Sequence, residues 1–244
     1  MRGVFFPAAL AVALVVASPV GAGDTAEADV LGFGEDGRLF AFEQFGVEDG
    51  SGFPYSHIFV IDTETDSWVS GTPIRVRLED ETAGVGDART EAEARLREAV
   101  DTRFRSEQAV TLAHAPLGEV EADPTRLGFA PVIPSNPLED PVTRYEARLE
   151  IFHAEAQAEN CVEYIGDRPV GFRLTVERQG GASTVLHADN TIPRSRGCPI
   201  TYRLSRVVAP GYPPDRVVIL VSVFTPGFEG PDRRFIAVAG RLPE

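Results

Sequence analysis

Residues 31–68 read LGFGEDGRLFAFEQFGVEDGSGFPYSHIFVIDTETDSW, and this stretch is the most informative part of the chain for the fold class. Asp36-Gly37 lies between two apolar segments, and such a dipeptide favours a tight hairpin because glycine takes positive φ without steric cost. The segments Leu39–Phe45 and His57–Ile61 are rich in the β-branched and aromatic residues that favour strands. The stretch therefore predicts a small unit of antiparallel sheet, and it contains no residue grouping typical of a catalysed reaction.

Alternating apolar and polar side chains continue along the rest of the chain. The alternation in Ile74–Leu78, Tyr145–Ile151 and Val170–Val176 predicts three half-buried strands. Val217–Phe224 is apolar at nearly every position, which predicts a strand buried on both faces. A last short strand is predicted at Phe235–Val238. We therefore expect a mainly β protein built from antiparallel sheets, either sandwich-like or a partial propeller.

One segment, residues 90–109, has the periodicity of an amphipathic helix. Thr90 and Glu93 have the spacing of a capping box. Apolar residues at every fourth position predict one buried face, and three pairs of opposite charge lie four residues apart outside it. The apolar residues are Ala92, Leu96, Val100 and Phe104, and the pairs are Glu91–Arg95, Glu93–Arg97 and Asp101–Arg105. The pattern predicts a helix docked on a sheet, with a partner-binding helix as the alternative.

The first 22 residues have the organisation of a secretory signal peptide. Arg2 precedes an apolar run from Val4 to Ala17, and small residues up to Ala22 follow it. The run is shorter than the about 20 residues that span a bilayer, and no cysteine that could carry a lipid follows it. We expect an exported protein, periplasmic or secreted, with no stable membrane anchor. An uncleaved N-terminal anchor is the alternative.

The remaining chain divides into three parts by composition. Residues 23–115 are strand-rich and include the predicted helix, and residues 143–244 return to strands. Between them, residues 116–142 contain six prolines, a density that excludes regular helix and disfavours central strands. This segment is either a boundary or an extended crossing segment. We expect the two β regions to form one compact unit.

The charge balance limits the possible partners. The net charge is −14, and all 23 basic residues are arginine. A strongly negative protein repels phosphate backbones, so nucleic acid is a poor partner. Without lysine, neither a Schiff-base enzyme nor a standard P-loop nucleotide site can be built. An envelope protein or a small ligand remains compatible with this composition.

The two cysteines, Cys161 and Cys198, are predicted to form a disulfide. In an oxidising compartment an isolated pair usually does so. A redox-active pair is the alternative, but such pairs usually have the close C-x-x-C spacing, which is missing here.

Catalytic motifs are not found in the sequence. None of the four histidines has a second histidine or a cysteine at metal-ligand spacing, and no G-x-S-x-G elbow occurs. His153 lies near Glu150 and Glu155 and is the best placed candidate for a general base. An exported hydrolase with a carboxylate or histidine site is therefore the alternative function.

Three alternating carboxylates suggest a metal site. Asp62, Glu64 and Asp66 stand just before Trp68, and oxygen ligands at alternate positions of a turn suit Ca²⁺. No EF-hand pattern accompanies them, and a solvated hairpin turn is the alternative interpretation. We expect no other cofactor.

Two glycine-rich loops with aromatic residues are the candidate binding sites. The loop Asp49–Tyr55 presents Phe53 and Tyr55, and the loop Pro226–Arg234 presents Phe228. Their glycines allow close approach to the backbone, and the aromatic faces offer contact area. The alternative is that these aromatic residues fill the core. Together with the missing catalytic motifs, the loops predict a non-enzymatic binding or interaction module.

Part of the opening stretch resembles one blade of a TolB-type β-propeller. The resemblance rests on Leu31-Gly32-Phe33-x-x-Asp36-Gly37-Arg38-x-Phe40-Ala41-Phe42 followed by His57-Ile58-Phe59-Val60-Ile61-Asp62. It implies a full β-propeller as the alternative fold. Such a fold repeats its signature in four or more blades, and one copy is present here.

Nearly the whole mature chain resembles an uncharacterised family of bacterial predicted secreted proteins, a domain of unknown function. The shared strings are D-x-x-G-F-x-x-D-G-R-x-F-A-F-E-x-x-G at 29–46, G-S-G-F-P-Y at 50–55, Y-P-P-D-R at 212–216 and P-G-F-E-G-P-D-R-R-F at 226–235. The resemblance implies export and a shared fold, and it implies no activity.

Overall fold

The computed structural model describes residues 23–80, 82–118, 122–131, 143–211 and 215–244. These residues form three antiparallel sheets, a main helix and one short helix. The predicted signal peptide, residues 1–22, lies outside the described residues, and so does the stretch 132–142 of the proline-rich segment. Within the described part, no helix combines the length and the apolar character that a membrane span requires.

The first sheet, here called the N-terminal sheet, is built from the opening stretch of the sequence. Strands β1, β2 and β3 are consecutive neighbours, and β4 and β5 both pair with β3. The predicted hairpin is confirmed, since Gly37 has φ +69° and donates its N–H to the Gly34 carbonyl at 2.9 Å. The bounds are β1 Glu27–Phe33, β2 Leu39–Val47, β3 Pro54–Asp62, β4 Ser67–Trp68 and β5 Ile74–Arg77.

The main helix, α1, spans Val85–Ala99, so it begins and ends earlier than the predicted 90–109. Its first turn is closed by the Asp87 carboxylate, which accepts the Gly84 N–H at 2.8 Å. The predicted capping box at Thr90 is wrong, because the Thr90 hydroxyl donates to the Gly86 carbonyl within the helix at 2.8 Å.

The helix ends early because the following chain pairs with another element. The Arg105 N–H donates to the Phe33 carbonyl at 3.0 Å, and this bond holds the segment after α1 beside β1. Two predicted ion pairs form on the helix, whereas Arg105 binds Glu35 instead of Asp101. The predicted docking on a sheet is confirmed by the buried residues Ala88, Ala92 and Leu96.

The other two sheets come from the second half of the chain together with β6. The central sheet has the order β13–β12–β11–β6, and the outer sheet has the order β10–β9–β8–β7. Proline-rich residues 122–131 contribute β7, an edge strand. The bounds are β6 Ala109–His114, β7 Arg126–Phe129, β8 Tyr145–His153, α2 Cys161–Ile165, β9 Val170–Arg178, β10 Ser183–Ala188, β11 Thr201–Pro210, β12 Arg216–Pro226 and β13 Pro231–Arg241.

Three apolar clusters show that the elements are stacked in layers. One cluster joins α1 to the N-terminal sheet, a second joins that sheet to the central sheet, and a third joins the central and outer sheets. In β12, Val218 and Leu220 face the N-terminal sheet, while Val217 and Ile219 face the outer sheet. The prediction that β12 is buried on both faces is therefore confirmed.

This layered arrangement decides between the predicted folds. The mainly β fold with antiparallel sheets and one main helix is confirmed. The alternative of a full β-propeller is wrong, because the described strands stack face to face as three sheets and do not radiate as blades around an axis. The blade-like opening stretch is one layer of this stack.

The layers bring three sheet edges together on one side of the molecule. Strand β13 is an edge of the central sheet and β10 an edge of the outer sheet, while β4 and β5 form an edge of the N-terminal sheet. Strand β13 contacts both β10 and β3. The space between these edges is the cleft described next.

Candidate functional site

A cleft of about 610 Å³ lies where the three sheet edges meet. Its apolar wall includes Phe59, Trp68, Tyr164 and Ile236. Trp68 and Tyr164 are 48% and 65% exposed, which is unusual for large aromatic side chains. A concave surface of this volume with apolar walls has the dimensions of a small-molecule site.

The N-terminal sheet contributes a cationic wall to the cleft. His57 on β3 lies opposite Arg75 on β5, and both line the cleft with Arg234 of β13. Burial lowers the pKa of His57 to about 4, and the positive charges of Arg75 and Arg234 act in the same direction. His57 is therefore neutral near pH 7, and the two guanidinium groups supply the positive charge of this wall.

The two arginines of this wall differ in their partners. Arg234 is anchored, since its guanidinium binds the Asp24 carboxylate and carbonyl and lies 4.8 Å from the centre of the Tyr55 ring. Arg75 is exposed and, among the described residues, has no carboxylate within 4.0 Å. Arg75 is therefore the cleft cation whose charge is available to a ligand.

The outer sheet and the 3₁₀ turn Arg194–Arg196 contribute a histidine–aspartate–arginine cluster with a buried carboxylate. His187 Nε2 lies 2.9 Å from Asp189 Oδ1, and Arg196 Nη1 donates to Asp189 Oδ2 at 2.6 Å. Burial by itself raises the pKa of Asp189, but the bonds from His187 and the Phe172 N–H and the charge of Arg196 outweigh it, so that pKa is lowered. The Asp189 carboxylate holds Arg196 and His187 in place along the cleft.

The floor of the cleft is the outer edge of β13. The Phe235 N–H donates to Gln44 Oε1 at 2.7 Å, and the Ala239 N–H donates to Asp66 Oδ1 at 2.8 Å. Because backbone groups on a strand point to the same side every second residue, Ala237 also directs its N–H and C=O outward. Ala237 lines the cleft, so a main-chain donor and acceptor face its interior.

A disulfide holds one wall of the cleft. The predicted bond between Cys161 and Cys198 is confirmed, with Sγ atoms 2.09 Å apart. It links the first residue of α2 to the chain after the 3₁₀ turn Arg194–Arg196. Cys198 and Tyr164 of α2 both line the cleft, so the crosslink connects the two segments that form this wall.

The three aromatic residues predicted to bind a ligand lie outside the cleft lining. Tyr55 is buried, and its hydroxyl donates to Asp24 Oδ1 at 2.9 Å. Phe53 is half-buried beneath the Arg77 guanidinium, 4.7 Å from its ring centre. Phe228 is 91% exposed at the tip of the β12–β13 hairpin. Their role in binding stays a prediction, and none of the three contributes to the cleft.

The three carboxylates predicted to bind Ca²⁺ interact with other groups of the chain, and Asp62 and Glu64 share Arg38 as a neighbour. Asp62 accepts Arg38 at 2.6 Å, and Asp66 accepts the Ala239 N–H. Glu64 lies 3.6 Å from Arg38. Within the described ranges, no group of three or more metal-ligating side chains converges on one point. Calcium binding therefore stays a prediction.

The histidine of the predicted hydrolase site is also outside the cleft lining. His153 is exposed, and its Nδ1 lies 3.2 Å from the Arg168 carbonyl. Glu150 pairs with Arg173 at 3.1 Å. The exported hydrolase stays an untested alternative.

Of the residues singled out in the sequence, Asp66 and Cys198 line the cleft, whereas its arginines and histidines could not be identified from the sequence. Arg75, His187 and Arg196 come from three distant segments that meet only in the folded chain. Two signals were available: Trp68 is the single tryptophan, and His57 and Arg75 lie on neighbouring predicted strands. Neither signal indicates that β13, the edge of the central sheet, lies beside the edges of the N-terminal and outer sheets.

The comparisons with known proteins agree with the resemblance found in the sequence. The model of a family described as "Predicted secreted protein (DUF2259)" matches residues 41–241. No curated protein and no solved structure matches the chain.

Proposed function

The chain belongs to this family of predicted secreted proteins, and from that premise we propose that it is an exported, non-enzymatic binding protein whose ligand occupies the cleft. The proposed ligand is a small amphipathic molecule with one carboxylate. The observation that carries this proposal is Arg75, a cation with no carboxylate partner among the described residues, placed beside apolar walls in a cleft of about 610 Å³.

The polar groups of the cleft suit a carboxylate at one end of the ligand. Arg75 offers a planar guanidinium that can bind both carboxylate oxygens. Neutral His57 adds a ring nitrogen without adding charge. Ala237 adds a main-chain N–H at the floor. These groups come from two different sheets, and the stacking of the sheets fixes their spacing.

The aromatic groups of the cleft suit the apolar body of the same ligand. Phe59 and Trp68 meet edge to face, with ring centres 6.0 Å apart. Tyr164 and Ile236 line the same space. Covering the exposed faces of Trp68 and Tyr164 removes apolar surface from water, which favours association.

Tryptophan fluorescence tests the proposal directly, because Trp68 is the single tryptophan and lines the cleft. We expect decanoate to change the Trp68 emission in a saturable manner. Decanol has the same chain without the carboxylate and should bind more weakly. Arg75→Gln should weaken decanoate binding at least about tenfold, since it removes the charge-assisted hydrogen bonds to the carboxylate, and leave decanol unaffected.

The matched control is Arg97→Gln, which removes an exposed guanidinium from the helix surface, where it pairs with Glu93. Its affinity for decanoate should equal that of the wild type. An emission spectrum that decanoate does not change, or equal affinities of the Arg75→Gln variant and the wild type, would contradict the proposed function.

A further inference from the structure

A second cavity, of about 380 Å³, lies between β1 and the central sheet. It shares one lining residue, Phe235, with the cleft. Three arginines line it, namely Arg203 and Arg206 of β11 and Arg233 of β13. In a chain with 37 acidic and 23 basic residues, three arginines at one cavity form a local concentration of the minority charge.

An irregularity in β11 places two of these arginines on one face. In a regular strand, residues 203 and 206 would point to opposite faces. The register of β11 against β12 shifts between Leu204 and Arg206, and a bulge of this kind inserts one extra residue. Arg203 and Arg206 consequently lie on the same face of β11 as Val208, and this face packs against the N-terminal sheet.

The third arginine reaches the cavity from the neighbouring edge strand. Arg233 stands two residues before Phe235, which packs in the cluster between the N-terminal and central sheets. Its Nη2 donates to the Ala26 carbonyl at 2.7 Å, which holds the side chain against the chain that leads into β1. Both sheets therefore fix its position.

Few groups in the described part of the protein balance the positive charge or accept the N–H donors of the three guanidinium groups. None of them lies within 4.0 Å of a carboxylate there. The Nε atoms of Arg206 and Arg233 are buried and have no hydrogen-bond partner among the described residues. Buried donors without acceptors and positive charges without a nearby carboxylate are destabilising, so an anion in the cavity that binds the remaining N–H groups of these side chains would stabilise this arrangement.

The other titratable groups at the cavity do not supply that acceptor. Asp29 on β1 is bound to Arg89 at 2.6 Å, and Glu27 is exposed at the rim. Burial lowers the pKa of His114, and the charge of Arg206 acts in the same direction, so His114 is neutral near pH 7. Burial lowers the pKa of Arg233 and repulsion from Arg203 adds to that effect, while the nearby charge of Glu27 opposes it without reversing it.

We propose that this arginine cavity, lined by Arg203, Arg206, Arg233 and Ser222, binds a tetrahedral dianion, the phosphate or sulfate group. Guanidinium forks match the oxygen spacing of such groups and can each donate two hydrogen bonds. The Ser222 hydroxyl, on a side chain only 4% exposed, adds a neutral donor at the floor. A dianion would balance most of the charge of the three arginines.

Calorimetric titration of the full mature chain with inorganic phosphate and with sulfate tests this proposal. We expect saturable binding of both ions at low ionic strength and no saturable binding of chloride. Each of the variants Arg203→Gln and Arg206→Gln should weaken phosphate binding at least about tenfold, since each removes charge-assisted hydrogen bonds. Glycerol phosphate shows whether the cavity prefers a phosphate ester or the free ion. Tighter binding of glycerol phosphate than of free phosphate indicates an ester, and weaker binding indicates the free ion.

Two controls keep the result interpretable. The matched control Arg97→Gln should retain wild-type affinity. Phosphate should raise the melting temperature of the wild type more than that of Arg206→Gln, because stabilisation by a ligand increases with its affinity for the folded state. Folding of the variants is checked by the same melts. Equal melting temperatures of the wild type in phosphate and in chloride at matched ionic strength would overturn the proposal.

The alternative occupant to be tested is a carboxylate from residues 119–121, which lie outside the described residues. Glu119 and Glu121 follow the cavity residue Leu117 in the sequence. The double variant Glu119→Gln/Glu121→Gln should bind phosphate as the wild type does. If phosphate binds only to this double variant, the carboxylates of the chain itself fill the cavity and the proposal is wrong. Decanoate binding in the cleft should be unchanged in all these variants, so this test is independent of the proposed function.

Discussion

At the scale of single residues, burial beside like charges decides the protonation of His57. It is half-buried on β3, and Arg75 lies directly across from it on β5. Its pKa of about 4, against 6.5 for the ordinary side chain, means that the folded protein keeps the ring neutral throughout the mildly acidic range. The sequence indicates neither the burial nor the position of Arg234, so this effect could not be predicted from it.

The depressed pKa predicts a loss of stability in acid. Below about pH 6.5 the unfolded chain binds a proton at His57 that the folded chain excludes, so stability falls as the pH decreases towards about 4. The free energy of unfolding should decrease by up to ~3 kcal/mol from this residue over that window. Urea unfolding at about pH 7 and about pH 4.5 measures it.

Two variants test the assignment to His57. His57→Gln removes the titrating ring, so its free energy of unfolding should depend less on pH over the same window. The exposed His153 provides the control, and His153→Gln should retain the pH dependence of the wild type. Identical pH dependences of His57→Gln and wild type would contradict the prediction.

At the scale of elements, local pattern predicted the clearly alternating strands well, but it did not predict β10 or β11, and it placed the helix ends poorly. Alternation located β5, β8 and β9, because each buries one face of a sheet whatever lies beyond it. The helix has a suitable pattern as far as Phe104, yet it ends at Ala99. A backbone bond to β1 replaces the last predicted turns, and such tertiary pairing has no local signal.

The disulfide is the element-scale feature with the clearest energetic consequence. Cys161 and Cys198 are 37 positions apart, and the chain-entropy relation gives ~3–4 kcal/mol for a loop of this length. Cys161→Ser/Cys198→Ser should lower the free energy of unfolding by that amount, measured by urea titration. Reduced wild-type protein serves as the control and should match the variant. A loss below ~1 kcal/mol would show that the unfolded chain gains little freedom without the bond.

At the scale of the whole molecule, the central sheet is covered on both faces. Ile219 faces the outer sheet and Leu220 faces the N-terminal sheet, and both side chains are buried. In a two-layer sandwich with solvent on one side, consecutive strand residues differ strongly in burial. Here the three-sheet stack removes that difference.

This layering predicts similar costs for truncating consecutive residues of β12. Ile219→Ala and Leu220→Ala should each lower the free energy of unfolding by ~2–5 kcal/mol, because each leaves a cavity between two sheets. Val185→Ala, at an exposed position on the edge strand β10, is the control and should cost less than ~1 kcal/mol. Denaturant unfolding measures all three. A small effect at either Ile219 or Leu220 would mean that one face of the central sheet is loosely packed.

The amino-acid pattern was enough to predict strands such as β2, β8 and β12, the hairpin at Asp36-Gly37, the disulfide partners and the family. These properties depend on local backbone preference, on a two-residue period or on the pairing of the only two cysteines. Only the tertiary structure decided that three sheets stack around β12 and that their edges form a cleft beside β13. The order of sheets depends on which apolar faces complement each other across the core, and neighbouring residues along the chain do not specify that pairing.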